Sequence, residues 1–274
     1  MSLSIAGKTA IVTGAANGVG LAIARHFVAQ GANVMFADRD EDGLEAELGD
    51  AQDSETGNLR YFAGDLRERL TVANLLSATI DAFERVDILV NATRQIMVTD
   101  PLDPEDNSVM TLLEQNLLTA FRLSQTVAKR MLQQATEEST EGTRETGSIG
   151  TIINIGSIAG RRTQPELLAY SISAAALDQL TRSLAVSLAR DRIRVNGVAV
   201  GSIMSANLKN RLKEEGDLRQ AIVDATPMGR IAAPSELAET VQYLASDASS
   251  FMIGQILTID GGRTLIDPVV EPTH

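Results

Sequence analysis

Seven short apolar segments recur along the chain and alternate with longer stretches that have helical spacing. The apolar segments are Thr9–Val12, Asn33–Ala37, Leu59–Ala63, Ile88–Val90, Thr151–Ile155, Arg194–Val200 and Gln255–Ile259. Segments of this length and composition are typical of strands that are buried on both faces of a sheet. Their alternation with helices indicates a parallel sheet. We therefore predict an α/β protein with one Rossmann-like, doubly wound parallel sheet that is covered by helices on both faces.

A polar segment at 133–150 departs from this alternation. It is rich in Glu, Thr, Ser and Gly, and it precedes the predicted strand at Thr151. Connections from a helix to a strand usually have ~2–6 residues, so this one is long for its position. We interpret it as an inserted surface loop, and a lid that contacts a substrate or a partner is the alternative. Since no segment resembles a linker, residues 1–274 are predicted to form a single domain.

The composition excludes several classes of site and partner. The chain has no Cys, which excludes disulfides, thiolate metal ligands and a Cys nucleophile, and its 2 His argue against a metal centre. The net charge of −12 argues against a nucleic-acid partner, because phosphate binding needs an excess of Lys and Arg. Most of the negative charge lies in 38–55 and 136–146, which we interpret as solvated surface.

No part of the sequence has the pattern of a membrane segment. The longest uncharged run, Thr9–Ala24, contains Asn17 and is shorter than the ~20 apolar residues that a spanning helix needs. The amino terminus lacks the basic and apolar regions of a secretory signal peptide. We therefore expect a soluble, cytoplasmic protein that has no membrane partner.

A glycine-rich turn follows the first predicted strand and leads into the first predicted helix. In the segment Thr13–Gly20, Gly14 allows a tight turn and Gly18 lets the backbone approach a pyrophosphate. Gly20 allows the helix to pack closely on the strand. The N–H groups at the start of the helix would face the anion. This arrangement predicts a dinucleotide-binding site, and glycines that serve only a structural turn are the alternative.

Asp38 stands directly after the second predicted strand, at about the distance from the glycines that ribose-binding acids have. An acid at this position accepts hydrogen bonds from the hydroxyls of the adenosine ribose and repels a 2′-phosphate. We therefore predict NAD(H) rather than NADP(H) as the cofactor. The neighbouring Arg39 could attract a phosphate, which keeps NADP(H) open as the alternative.

Further motifs follow in the order that one family shows. Asp65 and Leu66 come after the third predicted strand, and Asn91 comes after the fourth. Ser157 comes after the fifth, and Tyr170 follows at a spacing of 170 − 157 = 13 residues. Together with the TGxxxGxG spacing of the glycines, these motifs make the chain resemble the short-chain dehydrogenase/reductase family over about residues 5–266.

The resemblance implies a reaction and the residues that perform it. Members of this family interconvert an alcohol and a carbonyl on a small molecule by hydride transfer, and the charge that develops on oxygen needs hydrogen-bond donors and a proton. By the resemblance, Ser157 would hold the carbonyl oxygen, Tyr170 would supply the proton, and Asn116 would hold a water in the proton path. The implied cofactor-binding residues are Gly14, Asn17, Gly18, Val19, Gly20, Asp38, Arg39, Asp65, Leu66, Asn91 and Ile203. The family also implies a homotetramer.

Three positions depart from the family pattern. Ala174 stands where Tyr-x-x-x-Lys has its Lys, Arg94 where Asn-Asn-Ala-Gly has its Gly, and Val200 where a Pro precedes Gly201. In the family, that Lys binds the nicotinamide ribose and lowers the pKa of the catalytic Tyr, and Ala can do neither. Arg94 is interpreted either as a replacement for the missing cation or as a solvated side chain.

We therefore expect an NAD(H)-dependent oxidoreductase whose catalysis is impaired or altered. An NAD-binding protein without catalysis and a structural subunit of an oligomer remain the alternatives. The identity of the substrate is not predicted. Arg161 and Arg162 fall where the family shapes its substrate pocket, so they indicate either an anionic substrate or solvated side chains.

Overall fold

A seven-stranded parallel sheet forms the centre of the protein. The computed structural model describes residues 2–49, 57–140 and 147–267. The strands are β1 (Thr9–Thr13), β2 (Asn33–Asp38), β3 (Leu59–Ala63), β4 (Ile88–Asn91), β5 (Gly150–Ser157), β6 (Ile193–Val200) and β7 (Ile256–Ile259). Their order across the sheet is β3-β2-β1-β4-β5-β6-β7. The predicted fold class is confirmed, and every predicted strand is present with its ends shifted by two residues or fewer.

Helices connect the strands and pack on both faces of the sheet. They are α1 (Gly18–Ala29), α2 (Glu41–Leu48), α3 (Arg69–Phe83), α4 (Ser108–Leu113), α5 (Thr119–Thr140), α6 (Leu168–Leu188), α7 (Ala206–Glu214), α8 (Leu218–Asp224) and α9 (Pro234–Ala245). A π-helical turn, Glu114–Leu118, joins α4 to α5, and a 3₁₀ turn, Ile158–Gly160, follows β5. Within the described residues, no helix is both long and apolar enough to cross a bilayer.

Alternate residues of each strand contribute to opposite hydrophobic layers. In β1, Val12 packs in the layer that holds Ile23 of α1 and Leu237 of α9. Its neighbour Ile11 packs in the layer that holds Leu123 of α5. Successive side chains of a strand point to opposite faces, so a strand that is covered on both sides has to be apolar throughout. Burying one such aliphatic side chain stabilises the fold by ~1.5–3 kcal/mol.

The chain reverses its direction of strand addition between β1 and β4. From β1 it proceeds outward to β2 and β3, and it then returns to place β4 on the other side of β1. The loops that leave the carboxyl ends of β1 and β4 therefore diverge to opposite faces of the sheet. In open α/β sheets, a crevice for ligands forms at such a switch point.

The prediction of a loop over 133–150 is wrong for its first part, because α5 continues to Thr140. The side chain of Gln134 is buried, and it accepts from the Val86 N–H at 3.0 Å and donates to the Val86 carbonyl at 3.0 Å. A polar side chain can thus hold a helix against the amino end of β4, the central strand, which composition alone does not indicate. Residues 141–146 lie outside the described residues.

Candidate functional site

The turn after β1 requires glycine at two positions for steric reasons. Gly14 has φ +67°, and a Cβ on it would lie 3.0 Å from the amide nitrogen of Thr93. A Cβ on Gly20 would lie 2.1 Å from the carbonyl oxygen of Gly14, well inside van der Waals contact. The start of α1 is therefore held directly over the end of β1.

The amino-terminal end of α1 is open to an anion. The side chain of Asn17, the residue before the helix, makes no capping hydrogen bond, and the first turn contains no acidic residue. A Cβ on Gly18 would meet no atom within 4 Å, so there is room in front of the turn. The first N–H groups of a helix lack partners within it and carry partial positive charge. These groups fit the diphosphate of a dinucleotide.

A cleft of about 560 Å³ extends from this turn along the carboxyl ends of the strands. Ligand pockets commonly have ~300–1,000 Å³. All of the predicted cofactor-binding residues except Asn91 line the cleft, namely Gly14, Asn17, Gly18, Val19, Gly20, Asp38, Arg39, Asp65, Leu66 and Ile203. A smaller cavity of about 260 Å³ lies at the amino ends of the strands, around Asp87 and Arg194.

The carboxylate of Asp38 is held by backbone N–H groups at the end of β2. One oxygen accepts from Ala16 N at 3.1 Å, and the other accepts from Arg39 N at 2.7 Å and from Asp40 N at 3.2 Å. A carboxylate has about four acceptor positions, so at least one remains for a further donor. The orientation of the carboxylate in the cleft is thus set before a ligand binds.

Asp65 is occupied by an ion pair within its own loop. Nε of Arg67 lies 2.9 Å from both carboxylate oxygens. Hydrogen bonds from the Arg67 side chain hold the pKa of Asp65 below its usual value, although burial opposes this effect. Asp65 therefore remains ionised at neutral pH.

The side chain of Asn91 makes its hydrogen bonds to buried side chains in the interior of the protein. Its Nδ2 donates to Oδ1 of Asn154 at 2.8 Å and to Oγ of Ser124 at 3.2 Å. Because Asn91 is the last residue of β4 and is buried, its side chain ties that strand to β5 and α5. The structure thus gives Asn91 partners that the expected cofactor role did not include.

Ser157 and Tyr170 both contact Ala159. Oγ of Ser157 accepts from Ala159 N at 3.1 Å, which leaves its O–H available to donate. Tyr170 packs in an apolar cluster with Ala159 and Leu112, and its hydroxyl makes no hydrogen bond in the described part of the chain. A Cβ on Gly160 would lie 2.9 Å from Ala175 N, so this turn rests directly on α6.

Neither Ser157 nor Tyr170 lines the 560 Å³ cleft. The segment after β4 contacts both regions, because Ile96 lines the cleft and Met97 packs against the Tyr170 cluster. This segment therefore connects the cluster that contains Tyr170 with the cleft that the predicted cofactor-binding residues line.

Asn116 lies in the π-helical turn and is bonded to that same segment. Its Oδ1 accepts from Gln95 N at 2.8 Å, and its Nδ2 donates to Gln95 O at 2.9 Å and to Ser173 Oγ at 3.1 Å. Ser173 in turn donates to the carbonyl of Tyr170 at 2.9 Å. Both amide hydrogens of Asn116 are used, so a water in the proton path could bond only to Oδ1 of this side chain.

Sequence reasoning did not identify Gln95 and Ser173 as parts of the site. Ser173 could have been found, since residues three apart on a helix share a face and it follows Tyr170 at that spacing. Gln95 contributes through its backbone, for which the sequence has no signal.

Ala174 is buried in α6, one turn beyond Tyr170. The next residue on this face is Asp178, and burial raises its pKa despite the nearby Arg161, whose Nε lies 3.7 Å from Oδ2.

The two arginines after Gly160 have partners within the protein. Arg161 also donates to Thr258 Oγ1 at 2.8 Å, and Arg162 donates to the carbonyl of Thr264 at 3.2 Å. These contacts do not support the expectation that the pair recognises an anionic substrate.

A family model described as enoyl-(acyl carrier protein) reductase matches residues 14–264. The 2,3-dihydroxy-2,3-dihydro-p-cumate dehydrogenase of Pseudomonas putida is 31% identical over 268 residues, which cover 97% of this chain and 97% of that protein. The galactitol 2-dehydrogenase (L-tagatose-forming) of Cereibacter sphaeroides is 32% identical over 263 residues, which cover 94% of this chain and 96% of that protein.

Two solved structures share the fold over nearly the whole chain. The crystal structure of gox2181 has a TM-score of 0.84 and 32% identity, and the match covers 96% of this chain and 98% of the other. A 7α-hydroxysteroid dehydrogenase complexed with NADH and 7-oxo glycochenodeoxycholic acid has a TM-score of 0.83 and 31% identity, with 95% of each chain covered.

The hydrogen bonds of Asn116 predict that its loss destabilises the protein. We expect Asn116→Ala to lower the free energy of unfolding by about 2 kcal/mol, because both backbone groups of Gln95 lose their partner. Asn74→Ala, on the exposed face of α3, is the matched control. Urea unfolding at pH 7 measures both. Equal stability of the two variants would show that Asn116 does not hold this segment.

Proposed function

Because the chain belongs to the short-chain dehydrogenase/reductase family, whose members are oxidoreductases of alcohols and carbonyls that use nicotinamide cofactors, we propose that it transfers hydride between NAD(H) and a small molecule. The observation that carries the proposal is the cleft between the open end of α1 and the fixed carboxylate of Asp38. Its two ends fit the diphosphate and the adenosine ribose of one dinucleotide.

Bound NADH would supply the hydride to the carbonyl carbon. On this proposal, the O–H of Ser157 donates a hydrogen bond to the carbonyl oxygen as negative charge develops there. The hydroxyl of Tyr170 then transfers its proton to that oxygen, which completes the alcohol. The absence of a hydrogen-bond partner for this hydroxyl in the described part of the chain supports the role, since its proton is not committed elsewhere.

Asp38 is the basis for proposing NAD(H) rather than NADP(H). Its carboxylate has a position left for a ribose hydroxyl, whereas a 2′-phosphate would bring a second negative group against it. Arg39 lines the same cleft and partly offsets this repulsion. The preference therefore results from a balance that substitution of Asp38 can shift.

We expect the protein to bind NADH more tightly than NADPH. We expect Asp38→Ala to reduce the ratio of the two affinities roughly tenfold. The substitution removes both the hydrogen bonds to the ribose and the repulsion of the phosphate. Asp42→Ala, an exposed acid in the first turn of α2, is the control for the general loss of negative charge. Calorimetric titration with both cofactors measures the preference. Equal or tighter binding of NADPH by the parent protein would contradict the assignment.

Ala174 favours a second candidate function, which is binding of NAD(H) without turnover. A buried methyl group cannot replace a cation that binds ribose and promotes proton transfer by Tyr. Under the main proposal, carbonyl reduction survives because a protonated phenol can still donate. Alcohol oxidation is impaired more, because Tyr170 then has to accept the proton of the alcohol without the nearby positive charge that would favour its deprotonated form.

We expect Ala174→Lys to raise the rate of alcohol oxidation at pH 7 by up to about 100-fold, and to raise that of carbonyl reduction less. Ala175→Lys, which places the same charge on the exposed side of α6, is the control. The measurement is a pH–rate profile in both directions on a panel of secondary alcohols and ketones that includes galactitol and a 7α-hydroxy bile acid. Efficient oxidation by the parent at pH 7, unchanged in Ala174→Lys, would contradict this role of position 174.

The homotetramer, the cytoplasmic location and the single domain stay predictions from the sequence. The names of the relatives include a sugar-alcohol dehydrogenase and a steroid dehydrogenase, so they leave the substrate open.

A further inference from the structure

Three arginines line the 560 Å³ cleft, and they differ in what they contact in the described part of the chain. The side chain of Arg211 pairs with Glu215, with 2.9 Å between Nη2 and Oε1. Arg39 follows Asp38 directly and so lies at the end of the cleft that fits adenosine. Arg94 is half-buried, and it makes no hydrogen bond or ion pair with any described residue. Its charge is therefore available to a ligand.

The backbone that carries Arg94 is attached to the phosphate-binding turn. Oγ1 of Thr13 accepts from Ala92 N at 3.0 Å and from Thr93 N at 3.2 Å. The preceding residue, Thr93, is also where a Cβ on Gly14 would make close contact, at 3.0 Å from its amide nitrogen. Arg94 is thus one residue away from the point where the loop after β4 touches the glycine turn.

The glycine turn contains no Lys or Arg of its own. It therefore offers a diphosphate backbone N–H groups and the partial charge of a helix end, which amounts to about half a unit. A diphosphate that leaves bulk water needs more countercharge than this. The acids that line the cleft, Asp38 and Asp65, add negative charge, although Arg67 pairs with the second of them.

We propose that Arg94 binds the diphosphate of the nicotinamide dinucleotide. The inference rests on the proposed function, because it assumes that this cleft holds the cofactor. It differs from a role beside Tyr170, since Tyr170 does not line the cleft that Arg94 lines. The guanidinium supplies the positive charge that the turn lacks, as a charge-assisted hydrogen bond to a phosphate oxygen.

The test compares the binding of NADH and ADP-ribose, because ADP-ribose keeps the diphosphate and lacks the nicotinamide. Calorimetry is performed on the parent, Arg94→Gln, Arg94→Lys and Arg190→Gln. Arg190 is exposed in the turn that precedes β6, at the opposite end of that strand from the cleft, so it controls for the change in net charge. Thermal unfolding verifies that each variant is folded.

We expect Arg94→Gln to weaken both ligands about tenfold, Arg94→Lys to weaken them less, and Arg190→Gln to leave them unchanged. The tenfold difference in affinity between the parent and Arg94→Gln should become smaller at 1 M salt, where the Debye length is about 3 Å.

Three results would overturn the proposal. Unchanged affinity of Arg94→Gln for both ligands would do so, and a raised KM for a carboxylate-bearing substrate would then assign Arg94 to the substrate. Weaker binding of NADH with unchanged ADP-ribose would place Arg94 at the nicotinamide half. A parent protein that binds neither ligand would overturn the proposed function as well, which distinguishes that failure from the other two.

Discussion

The contact between Gly20 and the carbonyl of Gly14 is the constraint on which the geometry of the candidate site depends. A methyl group at position 20 would lie 2.1 Å from that oxygen, so any side chain there would push α1 away from β1. Because the helix begins directly above the strand, its N–H groups face the cleft instead of being covered. Thr13 then ties the loop after β4 to the same turn, which sets the position of the segment from Arg94 to Met97.

The two regions of the candidate site are positioned by different kinds of contact. At the end that fits the nucleotide, the close approach of Gly14 and Gly20 positions the start of α1, and backbone N–H groups orient the carboxylate of Asp38. At the other end, Tyr170 is held by side chains, through Ser173 and Asn116 to the backbone of Gln95. A single substitution can therefore alter the surroundings of Tyr170 while it leaves the start of α1 and Asp38 in place.

Ala174 is buried in α6, in the region that contains Tyr170. It stands one helical turn from Asp178, whose pKa is raised by burial, so a Lys in its place would put an ammonium group within reach of a buried carboxyl as well as near Tyr170. With Ala, the nearest cation recorded for Asp178 in the described part of the chain is Arg161 at 3.7 Å. A Lys introduced at position 174 would therefore also act on Asp178.

The strands and the glycine turn could be predicted because their signals are local. A buried strand needs a short apolar run, and Gly14, Gly18 and Gly20 stand where a side chain would clash or close the space. The place of Asp38 at the end of β2 could be predicted because the apolar run before it ends there. The contacts of Asn91 and Asn116 could not, because they depend on residues 21 to 63 positions away that only the fold brings together.

The polar end of α5 escaped prediction for a related reason. Its composition resembles a loop, and Gln134 is accommodated in the interior only because the backbone of Val86 pairs with both ends of its amide. Arg161 and Arg162 likewise resemble solvated or substrate-binding cations until Asp178, Thr258 and Thr264 are placed beside them.

Every role proposed for this site requires that the cleft between α1 and Asp38 holds a nicotinamide dinucleotide. A crystal structure of the protein with NADH would show this. We expect the diphosphate against the N–H groups of Gly18–Gly20 and the adenosine ribose against the carboxylate of Asp38. Dinucleotide density at another place on the protein, with this cleft filled only by solvent, would contradict it.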